Sequence, residues 1–197
     1  MSMEVGTMAL SAFESAFVAN VANAMTVAIE KSILSGSGEG QPTGILAGTP
    51  LSDQIITIAD KTNKVPTYKA LIKAEAAVPV EFEGSAKWFM TKKQFMNFVS
   101  MTDSNGQPIA RVDYGIEENP SRMLLGREVV VHPYAEEMGS YVAGIFDFRD
   151  YALNTIYDMG IQKKQDWDTE DLLTKAVMSV DGKPTSLDSL VVMKPAS

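Results

Sequence analysis

From Met8 to Leu34, apolar residues recur at spacings of three and four: Leu10, Phe13, Phe17, Val21, Ala24 and Ala28. That period belongs to an α-helix with one covered face. Glu14, Asn20, Asn23 and Glu30 lie mainly off the stripe. Thr7 suits the N-cap. Ser35-Gly36 suits the C-terminal stop, because glycine tolerates the left-handed conformation that ends many helices. About 27 residues at ~1.5 Å each predict a rod of about 40 Å, long for a small domain.

Downstream the pattern breaks into shorter pieces. The run QIITIA, Gln54 to Ala59, predicts a strand. Thr67 caps a helix from Tyr68 to Val78, with Tyr68, Leu71 and Ile72 expected inward. KWFM, Lys87 to Met90, reads as a buried strand, and Thr91 caps a helix that turns Phe95, Phe98 and Val99 inward. Asp103 to Pro108, DSNGQP, is expected to turn, since Asn-Gly readily takes positive φ. Strands are predicted at Glu128 to His132, Tyr141 to Phe148 and Leu187 to Lys194. Tyr151 to Gln162 alternates in part. Asp166 to Val180 is ambiguous from pattern alone, since Asp168 or Thr169 could cap a helix there. Helices and strands mix without a regular βαβ alternation, which favours an α+β fold.

Composition narrows the role. The chain has 197 residues and a formal net charge of -8, from 25 acidic and 17 basic residues. A sequence-specific nucleic-acid binder would carry a basic footprint, and this chain has none beyond pairs such as Lys92-Lys93. Its longest apolar run, Ser15 to Ile29, is broken by Asn20, Asn23 and Thr26, so no membrane span is expected. There is no cysteine, which excludes disulfides, thiolate catalysis and cysteine-zinc sites.

Ser35 to Leu46, SGSGEGQPTGIL, places four glycines within nine residues. A phosphate loop of the P-loop type needs Lys and a hydroxyl after its last glycine, and no Lys follows here. The dinucleotide pattern G-x-G-x-x-G fails at Gln41. Both motifs place the loop before a helix N-terminus, whereas this loop follows a helix C-terminus. A tight chain crossing is the expected role. DSNGQP lacks the spacing and the distal Glu of a calcium loop. His132, the single histidine, has no nucleophile elbow to serve. Asp147, Asp150 and Asp158 lie near strands, but nothing marks any two as a catalytic pair. Trp88, Phe89, Phe95, Phe98, Phe146 and Phe148 sit at core spacing without interleaved basic residues, so packing is expected rather than base stacking. No catalytic, cofactor-binding or metal residue is therefore assigned, and no cofactor. A carboxylate-using enzyme or ligand-binding domain remains the alternative from another class, and would need a pocket of convergent acids.

The order of these elements resembles the major capsid proteins of tailed bacteriophages with the HK97 fold. The residues that carry the resemblance are AIEKSILSGSGEGQPTGIL (Ala28 to Leu46), AKWFMTKKQF (Ala86 to Phe95), DSNGQPI (Asp103 to Ile109), LLGREVVV (Leu124 to Val131), GIFDFRDYAL (Gly144 to Leu153) and VDGKP (Val180 to Pro184). The resemblance implies a long spine helix at 8–37 in a peripheral (P) domain and an axial (A) domain at 38–148. It further implies P-domain strands at 149–183, so a strand replaces the helix alternative over Thr169 to Val180, and a return to the A domain at 184–197.

In function, the resemblance implies a non-enzymatic subunit of an icosahedral phage head that self-assembles into pentamers and hexamers around the genome. Its location would be the virion, after assembly in the bacterial host cytoplasm. Partners would be other copies of itself, with scaffold, protease and portal proteins. An encapsulin-like compartment, which shares the fold, is the nearest alternative. Family members carry an N-terminal arm and an extended loop ahead of the spine, and neither has a counterpart here, so a truncated chain is expected. Many relatives also have an Arg shortly before the last Asp-Gly, where Met178 and Ser179 stand. The covalent Lys–Asn cross-link of some shells is not expected, because the loop is absent and no Asn follows Asn154.

Overall fold

The computed structural model describes residues 3–59, 65–101, 107, 110–113, 121–134, 138–165 and 172–196. They divide into two compact units. Unit 1 holds 1–44 and 153–183; unit 2 holds 45–152 and 184–197.

Unit 2 is built on a mixed sheet. Its elements are β1 (Ile55–Ile58), α2 (Tyr68–Ala76), β2 (Lys87–Thr91), α3 (Lys92–Val99), β3 (Ala110–Asp113), β4 (Ser121–Leu124), β5 (Arg127–His132), β6 (Ala143–Phe146) and β9 (Val191–Pro195). Among the described residues the sheet runs β1-β9-β6-β2-β5-β4-β3. The β1–β9 and β2–β5 pairs are parallel, and β6 runs antiparallel to both β2 and β9. One face carries Trp88, Met90, Ile145, Val191 and Met193, covered by Ala70, Leu71 and Ala74 of α2 and Phe95 and Phe98 of α3. On β2 and β6 the alternate residues Phe89 and Phe146 are also fully buried, and both meet Phe148 edge-on, at 6.2 and 5.8 Å between ring centroids. A strand covered on both faces has no polar alternation to show, which is why WFM and AGIF read as continuous apolar runs. Gly144 lets the Phe89 ring approach its backbone; a Cβ there would collide with the ring.

Unit 1 is thinner. It contains α1 (Met3–Ser35), the glycine loop, and a two-stranded ribbon of β7 (Tyr151–Gln165) and β8 (Leu172–Pro184), apart from the ends of the strands in unit 2. Along α1, Val18, Val21, Ala22, Met25, Ile29 and Ser32 form the covered stripe. On β8, Ala176, Met178 and Val180 are half-buried and alternate with exposed Lys175, Val177, Ser179 and Asp181.

Several sequence expectations shift. α1 begins at Met3, so Thr7 is inside the helix and is not its N-cap. Phe17, Ala24 and Ala28, expected inward, are exposed. The reason is that apolar residues ring this helix, so periodicity alone does not select the covered side. On α2, Tyr68 and Ile72 likewise face outward, and the buried positions are Ala70, Leu71 and Ala74. Both threonine caps form as expected, with the Ala70 amide donating to Thr67 Oγ1 and the Gln94 amide to Thr91 Oγ1. The last strand starts at Val191, not Leu187, because the Asp188 amide donates to Ser186 Oγ and the Leu190 amide to the Leu187 carbonyl, folding Ser186 to Leu190 into a turn. Gln54 belongs to a short turn ahead of β1, and Ala143–Phe146 is shorter than the strand expected there. Over 172–184 the chain is a strand. Asp103 to Gly106 and Pro108, the turn and calcium candidate, lie outside the described residues.

Candidate functional site

The glycine loop closes on its own backbone. After α1, the Gly36 amide donates to the Ser32 carbonyl at 2.8 Å and the Gly44 amide to the Gly36 carbonyl at 2.8 Å. Ser37 and Thr43 form an antiparallel bridge, and the Thr43 amide reaches the Gly182 carbonyl on β8 at 2.7 Å. Gly38 and Gly40 take positive φ of 82° and 68°, the region where a side chain is strained. A Cβ on Gly44 would lie 2.5 Å from the Gly36 nitrogen, so the two segments touch backbone to backbone. A phosphate cradle offers free amides to an anion. Here the amides of Gly36, Thr43 and Gly44 are spent on carbonyls, and that of Glu39 lies 3.4 Å from Ser37 Oγ. The geometry is that of a chain crossing.

The acids near the strands do not converge. Asp147 caps the turn after β6 and is buried, with Ser85 Oγ donating to it at 2.5 Å and Arg149 donating through N, Nε and Nη2 at 3.1, 3.1 and 2.7 Å. The Arg149 hydrogen bonds hold its carboxyl well below the usual carboxylate range, against the opposing effect of burial. Such a group stays ionised and neutralised and is a poor proton donor. Asp150 contributes its carbonyl, which accepts from Thr185 N and Oγ1 at 2.7 and 2.8 Å. The Asp158 side chain lies outside the described residues. His132 ends β5 opposite Thr91, buried and stacked on Tyr134 with centroids 6.1 Å apart. Burial lowers its pKa, and neither ring nitrogen makes a hydrogen bond.

Sequence reasoning missed the ion pair on Arg127. Leu125 and Gly126 both take positive φ, 52° and 83°, and make the two-residue turn between β4 and β5. Arg127 then points inward, with Nε 2.9 Å from Glu75 Oε1 and Nη1 2.8 Å from the carbonyls of Glu83 and Ala86. A cavity of about 300 Å³ opens beside it, lined by Glu75, Glu83, Lys87, Arg127 and Glu128 among others. Four of these five charges pair with one another, Arg127 with Glu75 and Lys87 with Glu128 at 2.6 Å. No cluster of metal-ligating side chains occurs among the described residues. Among them, too, no helix is long and apolar enough to cross a membrane.

What unit 1 offers is uncovered apolar surface. Leu153 to Tyr157 of β7 are all exposed, on both faces of the strand, with Ile156 at 75% and Tyr157 at 57%. Phe17 and Val27 are exposed on α1 and Val177 on β8. Beside them lies an open groove of about 240 Å³, between α1, the glycine loop and β8.

Comparison with known proteins gives one consistent picture. The model of the phage capsid family matches residues 4–194. No curated protein matches the chain at a significant level. Among solved structures, the capsid of the empty GTA particle aligns at a TM-score of 0.77 with 20% identity, over 93% of this chain and 66% of that one. Gordonia phage Cozz aligns at 0.66 with 13% identity, over 100% of this chain and 68% of that one. The holo-SrpI encapsulin complex from Synechococcus elongatus PCC 7942 aligns at 0.63 with 12% identity, over 90% and 63%. The chain thus spans 66% of the length of the GTA capsid chain it matches.

Proposed function

The chain belongs to the phage capsid family and has an α+β, HK97-like fold, and from that premise we propose that it is a structural subunit of an icosahedral phage head. Copies assemble into pentamers and hexamers, and these enclose the genome. Unit 1 is the P domain and unit 2 the A domain. The chain passes between them at 44–45, 152–153 and 183–184. The subunit has no catalytic role and no cofactor. Its principal partner is itself, joined by scaffold, protease and portal proteins during assembly in the bacterial host cytoplasm, and its final location is the virion.

The observation that carries this reading is the exposed run Leu153 to Tyr157 of unit 1, set against the central strands β2, β6 and β9 of unit 2, whose consecutive residues are buried. A monomer in water would gain by hiding Ile156 and Tyr157, while a shell wall hides them in neighbours. Ring contacts between identical copies are heterologous and close by rotation. The likeness to an encapsulin supports a second reading, a protein compartment holding cargo in place of a genome.

Light scattering across a concentration series, with negative-stain images of the largest species, tests the proposal. Rings of five or six copies, or closed shells, are expected. A strict monomer at millimolar concentration would count against it.

A further inference from the structure

We propose that His132 is an acid-sensitive latch: when its imidazole takes up a proton, the end of β5 leaves the sheet and loosens Thr91, the residue that starts α3. His132 is the last residue of β5 and pairs in parallel register with Thr91, the last residue of β2. Thr91 is also the N-cap of α3, where its side chain accepts from the Gln94 amide. One residue pair therefore joins the end of a strand to the start of a helix. The ring of His132 lies nearly flat against Tyr134, with 18° between the planes, and the residue is only 9% exposed. Both ring nitrogens are buried and neither makes a hydrogen bond. Pro133 follows, and a proline has no amide to hold the chain in the ladder.

A neutral imidazole has one N–H to place, whereas an imidazolium has two and a charge besides. No carboxylate among the described residues bonds the ring, and burial alone lowers its pKa. The groups around it carry the wrong sign or no charge. Thr91 of β2 is uncharged. Lys92 and Lys93 open α3, and a helix N-terminus is itself partly positive. Tyr134 presents a ring that stays neutral far above this pH range. Of the remaining neighbour, β4, the pairs fall on Arg127 and Glu128 at the other end of β5. A buried charge without partners is costly, so protonation is met by opening, which gives the ring to water. The sign follows from linkage. The opened state takes up its proton near the ordinary value of about 6.5 and the closed state only below it, so the closed state weakens as pH falls through 6.5. His132 is the single histidine, and no other side-chain type has its ordinary pKa between about 5 and 8. A response in that window therefore belongs to this residue. The latch is a property of the single chain and does not depend on assembly.

Titration of the full chain by NMR is the first test, since one histidine gives one imidazole Cε1–H signal. The midpoint should lie lower in the native chain than in the same chain unfolded in urea; a native midpoint equal to or above the urea value would overturn the proposal. Amide hydrogen exchange, corrected for intrinsic rates, is then compared at pH 7.5 and 5.5. Opening at His132, Tyr134 and Gln94 should rise roughly tenfold across that interval, the factor linkage gives for a ring kept neutral while closed. Trp88 and Ile145, deeper in the same sheet, should change little. No rise at the latch would overturn the proposal. So would an equal rise at Trp88 and Ile145, because the whole unit would then be responding. His132→Phe keeps a ring against Tyr134, and His132→Gln keeps a neutral polar side chain. In either variant the acid response should vanish, and its persistence in a folded variant would refute the latch. If neither variant folds, the titration and exchange of the unmodified chain decide the matter.

Discussion

Trp88 and Tyr157 are both large aromatic residues on β-strands, yet Trp88 is fully buried and Tyr157 is 57% exposed. The two units differ in the same way. Unit 2 closes its own core: helices cover one face of its sheet, and Phe89, Phe146 and Phe148 pack together on the other. Unit 1 lays a long helix against a ribbon and leaves apolar residues open on both elements. Burial of apolar surface is the main favourable term in folding. The central strands of unit 2 thus carry their stability within one chain, while Leu153 to Tyr157 of unit 1 offer surface that a second copy could bury. On the assembly reading proposed above, that division separates the folding problem from the association problem.

Truncating one aromatic in each unit should have very unequal effects on stability. Trp88→Ala should destabilise unit 2 by about 3–5 kcal/mol, the cost of emptying a packed site. Urea denaturation followed by circular dichroism reads it. Next comes Arg127→Leu, which strands Glu75 and leaves the carbonyls of Glu83 and Ala86 without their donor. Because Glu75 is partly exposed, about 2–3 kcal/mol is expected, less than for a wholly buried pair.

Asp147→Asn should cost less, about 1–2 kcal/mol at neutral pH, since hydrogen bonds from Arg149 and Ser85 survive in weakened form. Its signature is the pH dependence. The folded carboxyl titrates below its unfolded value, so the native chain's advantage is full above about pH 5. The gap to Asp147→Asn should narrow as pH falls below about 4, where the unfolded state takes up the proton first. Denaturation curves at pH 7, 5 and 3 check the sign. Smallest of all, Tyr157→Ala should leave the stability of the unassembled chain within ~0.5 kcal/mol. If it cost as much as Trp88→Ala, the distinction between the two units would collapse.

Much of unit 2 was legible because its signals are local. Thr67 and Thr91 announce their helices, and WFM needs both faces covered wherever it sits. The crossing role of the glycine loop could be argued from the missing Lys and from its place after a helix. What pattern reading could not settle was orientation. Phe17, Tyr68 and Ile72 are apolar and correctly spaced, yet they face out, because apolar residues exist on more than one side of α1 and α2. A rule that turns apolar residues inward assumes that the core belongs to the same chain. The Arg127–Glu75 pair was also hidden, since 52 residues separate its partners and no short motif joins them. Its one local trace is the Leu125-Gly126 turn that aims Arg127 inward.

Amide hydrogen exchange on the unassembled and assembled chain distinguishes the strands of the two units. Unit 2 strands β2, β6 and β9 should be strongly protected in both states, as core strands are. Amides of β7 from Leu153 to Tyr157 should exchange fast in the unassembled chain and become protected in the assembly. Equal and strong protection of β7 in both states would contradict the account, because unit 1 would then hold its own stability without a neighbour.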